Sequence, residues 1–201
     1  MKALSDWAHA LMVNDLARRE EQPGTVVAVE YTYQYFSRRR YADLVRFGED
    51  NLTVYEAKTE VLDLGETVRG LRDAGHILPL HEVNFKYRTF SRIDTRLVLL
   101  ATLQNAEVVI DNLDMLTAVF GNGQAPGPDG VFYGLSLLDP LDEENYPVKL
   151  IPIGHLSPGR LGTLLGRLTP YRDKRDLERA YWSQRRGGEA AVARSQPVAA
   201  T

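Results

Sequence analysis

The chain has 201 residues, of which 44% are hydrophobic and 25% charged, and its formal net charge is −3. This length and composition predict one globular domain whose core is large enough to bury a functional site. Cysteine is absent, which excludes disulfides, thiolate zinc sites and thiol nucleophiles and leaves oxygen atoms as the favoured ligands of a metal ion. No apolar run of about 18 residues occurs, and the opening segment carries acids where a signal peptide requires an apolar stretch. We therefore expect a cytoplasmic protein that does not associate with membranes.

The first 61 residues predict a helix followed by three strands. Apolar residues recur at helical spacing over residues 4–21, and Gln22-Pro23-Gly24 ends that pattern. The turn sequence Gly48-Glu49-Asp50-Asn51 predicts that the second and third strands form a hairpin. Strands are predicted, from their β-branched and aromatic side chains, at residues 25–35, 41–47 and 52–61.

The rest of the chain predicts a mixture of strands and helices. Helical periodicity over residues 62–74 ends at Gly75, which we interpret as a C-cap residue. Further strands are predicted at residues 83–87, 96–101, 131–138 and 148–153, and further helices at residues 105–120 and 159–182. This order predicts an α/β fold with a mixed central sheet flanked by helices. We expect one domain, residues 1–182, followed by a flexible tail, residues 183–201.

Two acids and a lysine on the second and third strands are the candidate catalytic residues. Glu56 and Lys58 are two residues apart on a predicted strand, so their side chains share a face, whereas Tyr55, Ala57 and Thr59 point the other way and are expected to pack under the following helix. The hairpin brings Asp43 beside Glu56. A divalent cation relieves the repulsion between neighbouring carboxylates, so Asp43, Glu56 and the Ala57 carbonyl are candidate ligands for Mg²⁺. Lys58 would position the attacking water or stabilise the developing charge.

At these residues the chain resembles the PD-(D/E)xK nuclease superfamily. The segments that carry the resemblance are RRRYADLVRF with Asp43, NLTVYEAKTEV with Glu56 and Lys58, and the helical VLDLGETVRGL, within about the first 75 residues. The resemblance implies a restriction endonuclease-like core and hydrolysis of phosphodiesters in DNA, occasionally RNA, with Mg²⁺, for which Mn²⁺ substitutes. It also implies an acid from the first helix, for which the candidates are Asp15, Glu20 and Glu21, and a polar residue on the later helix, Glu66 or Arg69. Ala42 stands where the motif's proline is expected.

Basic and aromatic residues near Asp43 are candidate contacts to nucleic acid. Arg38, Arg39 and Arg40 precede the strand of Asp43 and are positioned to clamp a phosphate backbone, although a charged loop explains them equally well. Tyr31, Tyr33 and Tyr35 lie at period two, which suits base stacking but is more often a packing pattern. The four histidines show no metal-ligand spacing. Residues 97–148 contain no Lys or Arg and are a candidate interface for a second copy or a partner protein.

The sequence therefore favours a magnesium-dependent DNA nuclease, in a defence, mobile-element or repair setting. Two other classes stay open. A catalytically silent domain of the same fold would bind nucleic acid or a protein, and a phage structural or assembly protein would use the strands without a site. In that last class the carboxylates of Asp43 and Glu56 would diverge. The sequence does not distinguish endonuclease from exonuclease, and it contains no base-reading motif.

Overall fold

A computed structural model describes residues 2–35, 37–80, 90–120, 125–139, 149–152 and 158–169, together with the single residues 179 and 183. The predicted strand at 83–87 and the predicted tail beyond residue 183 lie outside the described residues. So does most of the predicted helix beyond residue 169.

The described elements follow the predicted order. The helices are α1 (Lys2–Glu20), α2 (Leu64–Ile77), α3 (Leu103–Asp111), α4 (Leu113–Phe120) and α5 (Pro158–Leu168), with a 3-10 turn at Leu78–Leu80 after α2. The strands are β1 (Val26–Tyr35), β2 (Arg38–Phe47), β3 (Asn51–Lys58), β4 (Arg92–Leu100), β5 (Val131–Asp139) and β6 (Lys149–Pro152). The predicted turn between β2 and β3 is closed by the Gly48 N–H, which donates to the Asn51 carbonyl at 2.8 Å.

The six strands form one mixed sheet in the order β1-β2-β3-β4-β5-β6. The first three strands pair antiparallel, β4 pairs parallel with both β3 and β5, and β6 pairs antiparallel with β5. The prediction of an α/β fold with a mixed sheet flanked by helices is confirmed.

Helices cover both faces of the sheet. Buried side chains of α1, including Met12 and Leu16, pack on Tyr55 and Ala57 of β3 and on Val98 of β4. On the opposite face, the alternate residues Leu97 and Leu99 of β4 pack against α2 to α5 in the largest cluster. The end of α2 packs on β1, β2 and β3 in a third cluster. The predicted packing of Tyr55 and Ala57 under the helix that follows them is wrong, because α1 covers that face of β3.

Three strands differ in length from the prediction, since β2 begins at Arg38, β3 ends at Lys58 and β4 begins at Arg92. Two helices also differ from it. Gly75 lies inside α2 rather than capping it, because the helix continues to Ile77. A glycine is needed there for close packing, since a Cβ at Gly75 would stand 2.5 Å from the Thr95 Cγ2 atom of β4. The single predicted helix at 105–120 is two helices, α3 and α4, which are separated at Asn112.

Within the described parts of the chain, no helix is both long enough and apolar enough to cross a bilayer.

Candidate active site where strands β2 and β3 separate

The candidate site lies where β2 and β3 stop pairing. The last residues in register are Leu44 and Tyr55, so Asp43 and Glu56 are the first opposed residues beyond the ladder. The Ala57 N–H points into this gap and donates to Asp43 Oδ2 at 2.7 Å. A side-chain carboxylate thus satisfies a backbone donor that continued strand pairing would otherwise satisfy.

The pairing of β1 with β2 is also interrupted at Asp43. The register runs from Val29 opposite Leu44 to Tyr31 opposite Ala42 and skips Glu30 and Asp43. Glu30 has a φ of 50°, an uncommon left-handed conformation for a residue other than glycine. The alternation of buried side chains shifts here, because Ala42 joins the same core cluster as Val45 and Phe47 instead of the opposite one.

Glu56 and Lys58 share a face of β3, as the spacing predicts. The Lys58 ammonium donates to Glu56 Oε1. Both residues are half-buried and pair on their other side with Leu97 and Leu99 of β4. The parallel strand β4 therefore holds this part of β3 in place after β2 has diverged.

Helix α1 contributes a residue that sequence reasoning did not assign to the site. The Nε2 atom of His9 lies 3.2 Å from Asp43 Oδ1. His9 precedes Met12 and Leu16 by three and seven residues, so it lies on the apolar stripe by which α1 packs on the sheet. A polar residue within that apolar stripe is the feature of the sequence that could have marked His9 as a site residue. Its proximity to Asp43 depends on tertiary packing, which spacing along the chain does not reveal.

The two carboxylates have opposite electrostatic environments. Burial raises the pKa of Asp43, but hydrogen bonds from His9 and from the Ala57 N–H, with the charge of Lys58, outweigh burial and leave that pKa below its ordinary value. Burial and the negative charge of Asp43 raise the pKa of Glu56, against the opposing effect of Lys58. Asp43 is thus held ionised, whereas negative charge on Glu56 is disfavoured.

The neighbouring acids raise the pKa values of both basic groups, Lys58 and His9. Burial lowers the pKa of Lys58, but the charge and hydrogen bond of Glu56 and the charge of Asp43 outweigh it, so the pKa is raised. The hydrogen bond to Asp43 raises the pKa of His9, against an opposing effect of burial. At neutral pH Lys58 is therefore a cation and not a general base.

The acids proposed on the first helix have other contacts. Glu20 accepts a hydrogen bond from the Tyr55 hydroxyl at 2.5 Å and pairs with Arg46 at 3.2 Å. Asp15 is only 1% exposed and lies 3.7 Å from the Arg18 guanidinium, and Glu21 is exposed. Among the α1 side chains that the structure describes, His9 is the one that contacts Asp43. Glu66 and Arg69, the candidates on α2, are both exposed.

The three arginines lie on a strand and not in a loop. Arg38, Arg39 and Arg40 open β2 and pair with Tyr35, Gln34 and Tyr33 of β1. Arg39 and Arg40 are exposed. This stretch lies beyond the end of the β2–β3 ladder, so it continues directly from Asp43 away from the rest of the sheet.

The donor set at the site suits a hard divalent cation. It comprises two carboxylates, whose mutual repulsion adds to burial in raising the pKa of Glu56, and the Ala57 carbonyl. That carbonyl is expected to face the gap, because a strand residue directs its N–H and C=O to the same neighbour. In the described residues no three His, Asp or Glu side chains already surround a common point. Binding would therefore require side-chain rotation, such as movement of Asp43 away from His9 or of Glu56 away from Lys58.

Comparison with known proteins adds no relatives: no protein-family model matches the chain, and no curated protein matches it significantly. The functional argument therefore depends on the geometry of the site.

Proposed function

We propose that the protein is a magnesium-dependent nuclease of the PD-(D/E)xK type that hydrolyses phosphodiester bonds in DNA. The observation that carries the proposal is the convergence of Asp43, Glu56 and Lys58 at the point where β2 and β3 separate. Each of these groups is close enough to the others to shift their pKa values. An ordinary surface ion pair between Glu56 and Lys58 does not account for a half-buried aspartate that reaches across the strand gap to the Ala57 N–H.

The order of elements supports the same proposal. A helix, a strand hairpin and a second helix surround the three residues, as a restriction endonuclease-like core requires. The strand β4, which pairs with β3, fixes Glu56 and Lys58 at the carboxyl end of a parallel pair. Ligand sites in α/β sheets commonly lie at such strand ends.

Asp43, Glu56 and the Ala57 carbonyl would hold Mg²⁺, which when bound polarises a phosphate, activates water and neutralises developing charge. Lys58 keeps its proton and places a positive charge beside the scissile phosphate. His9 and the Ala57 N–H orient the Asp43 carboxylate and keep it ionised.

A cleavage assay tests the proposal. Circular and linear DNA, single- and double-stranded, and an RNA of matched sequence are incubated with the protein in Mg²⁺, in Mn²⁺ or in a chelator. We expect cleavage of DNA in either metal and none in the chelator. Asp43→Asn and Lys58→Gln are expected to lower the rate by at least about 100-fold, the scale of losing one transition-state charge contact. Glu107→Gln and Asp114→Asn, which change exposed acids on α3 and α4, are the matched controls.

Two results would overturn the proposal. Cleavage that survives both site substitutions assigns the activity elsewhere. DNA binding with no cleavage in either metal assigns the chain to the catalytically silent class. Thermal unfolding of each variant shows whether a lost activity reflects a lost fold.

A further inference from the structure

Beyond Asp43, β1 and β2 continue as a two-stranded ribbon. The ribbon consists of residues 31–35 and 38–42, which form five consecutive antiparallel pairs. The pairing of β2 with β3 ends at Leu44, so the ribbon has no third strand in the described part of the sheet. At roughly 3.4 Å per residue it is about 14 Å long, and its base lies at the candidate active site.

The two faces of the ribbon differ in character. Tyr31, Tyr33 and Ala42 face the end of α2 and belong to its core cluster, and the Tyr31 ring packs edge-on against Phe47. The opposite face is exposed and polar. It carries two cross-strand pairs, Thr32 with Tyr41 and Gln34 with Arg39. We call this the outer face.

Charge on the ribbon has one sign. Residues 31–42 contain three arginines and no acid, although the whole chain has a net charge of −3. The Arg39 guanidinium lies 5.5 Å from the centroid of the Tyr41 ring, whose residue is 60% exposed. Neighbouring positive charges without acids in an acidic protein are electrostatically complementary to a polyanion.

Arg40 connects the ribbon to the active site. It pairs across the ribbon with Tyr33, so the two side chains lie on the same face. Arg40 is exposed and lies on β2 three residues before Asp43, whose carboxylate occupies the gap between β2 and β3. A phosphate held by Arg40 would lie near the carboxylates of the cluster.

Among the ribbon side chains that the structure describes, the aromatic rings favour a duplex over a single strand. Recognition of single strands uses several exposed aromatic rings as stacking platforms. Tyr33 is buried, Tyr31 is half-buried, and one face of the exposed Tyr41 ring is occupied by Arg39. By contrast, a two-stranded ribbon fits the major groove of B-DNA, which is about 12 Å wide.

We infer that the ribbon docks double-stranded DNA, with the outer face in the major groove and Arg40 directing the backbone to the candidate active site. The inference rests on the proposed function for the statement that this duplex is the substrate. Arg39, Gln34 and Thr32 supply hydrogen-bond donors and acceptors to the groove, and Arg40 supplies a phosphate contact.

Equilibrium binding tests the inference separately from cleavage. Fluorescence anisotropy is measured in a chelator with a labelled duplex and with the same strand unpaired. At about 100 mM salt, Arg39→Gln and Arg40→Gln are each expected to weaken duplex binding roughly three- to tenfold. Arg40→Gln, which removes the phosphate contact, is also expected to reduce the salt slope by about one. Arg167→Gln, on the exposed side of α5, is the charge-matched control and is expected to leave the dissociation constant unchanged.

The outcomes separate the two proposals. Ribbon variants that bind the duplex as tightly as the unmodified protein overturn the inference, even if cleavage occurs. An equal or larger loss for the unpaired strand overturns the choice of duplex. Arginine-dependent duplex binding without cleavage in Mg²⁺ supports the docking surface and overturns only the proposed function. Unchanged melting temperatures of the variants confirm that the substitutions leave the fold intact.

Discussion

The pair formed by His9 and Asp43 makes stability depend on pH in a defined window. The pKa of His9 is raised from 6.5, so its contribution is fully present below pH 6.5 and is lost as the pH rises through the raised value. The pKa of Asp43 is lowered from 3.8, so its contribution is present above pH 3.8 and is lost as the pH falls through the lowered value. The pair therefore stabilises the fold most between these two limits.

Substitution of His9 by Gln tests this window. In a chelator at about pH 5.5, we expect the free energy of unfolding in urea to fall by roughly 1–2 kcal/mol, the scale of a hydrogen bond to a charged group. At about pH 8.5 the loss should be smaller, because neutral His9 has already given up the charged interaction. The same substitution in a protein that carries Asp43→Asn is the control, and there the loss caused by His9→Gln should be the same at both pH values. In the protein that keeps Asp43, equal losses at both pH values would contradict the assignment.

The spacing of residues along the chain predicts some contacts of the candidate site but not all of them. Glu56 and Lys58 are predictable as neighbours because period-two alternation places residues i and i+2 on one face of a strand. The approach of Asp43 follows from the hairpin turn. The contact with His9 does not follow from any local rule, since it joins residues 34 positions apart through the packing of α1 on the sheet.

At the scale of the elements, the buried side-chain amide of Asn105 holds the chain in place where it leaves β3. Asn105, at the start of α3, is fully buried and bonds three backbone groups. Its Nδ2 donates to the carbonyls of Thr59 at 3.0 Å and Leu100 at 2.9 Å, and its Oδ1 accepts from the Val61 N–H at 3.1 Å. A side chain from the sequence that follows β4 thus ties the ends of β3 and β4 together, just beyond Lys58.

Asn105→Ala is expected to lower the free energy of unfolding by roughly 2–4 kcal/mol, because it leaves buried backbone groups without partners. Gln104→Ala, on the exposed neighbouring position of α3, is the control and should change stability by less than about 0.5 kcal/mol. Urea denaturation measures both. A loss at Asn105 no larger than at the control would show that these bonds contribute little.

Two glycines of α2 should respond in opposite directions to the same substitution. Gly75→Ala places a methyl group 2.5 Å from Thr95 and should cost roughly 1–3 kcal/mol through overpacking. Gly70→Ala meets no atom within 4 Å and should stabilise the protein by about 0.5–1 kcal/mol through helix propensity. Thermal unfolding distinguishes the two. If both substitutions stabilise the protein, Thr95 of β4 moves at little energetic cost to make room for the methyl group at position 75.

These elements also mark the limits of sequence reasoning. Gly75 resembles a helix terminator in sequence, but the helix continues because the glycine serves close packing against β4. The break between α3 and α4 at Asn112 is not marked in the sequence by a glycine or a proline. The first three strands are predictable because β-branched and aromatic residues concentrate in them, and β4 is predictable because RLVLLA is a continuous apolar run. The change at Asp43 in which residues of β2 face each core cluster is not predictable in this way, because it accompanies the positive φ of Glu30.

At the level of the whole molecule, magnesium should couple to global stability. A ligand that binds the folded state at 100 times its dissociation constant adds about 2.7 kcal/mol. For a chain of this length such a gain corresponds to a rise in melting temperature of roughly 5–10 °C. We expect this rise in Mg²⁺ relative to chelator, its loss in Asp43→Asn, and its retention in Glu107→Gln. A rise that persists in Asp43→Asn would place the ion elsewhere.

The sheet topology has a consequence for biosynthesis. Strand order in space repeats strand order along the chain, so each described strand that leaves the ribosome finds its neighbour already synthesised. Short loops join β1 to β2 and β2 to β3, so these antiparallel pairs can form as soon as the strands are synthesised. The parallel pairs of β4 with β3 and with β5 form only after longer crossover connections have been synthesised. His9, Asp43, Glu56 and Lys58 all precede β4 along the chain. The nascent chain therefore carries every side chain of the cluster before β4, the strand that fixes β3, is made, and the segments translated afterwards supply the support that holds those groups in place.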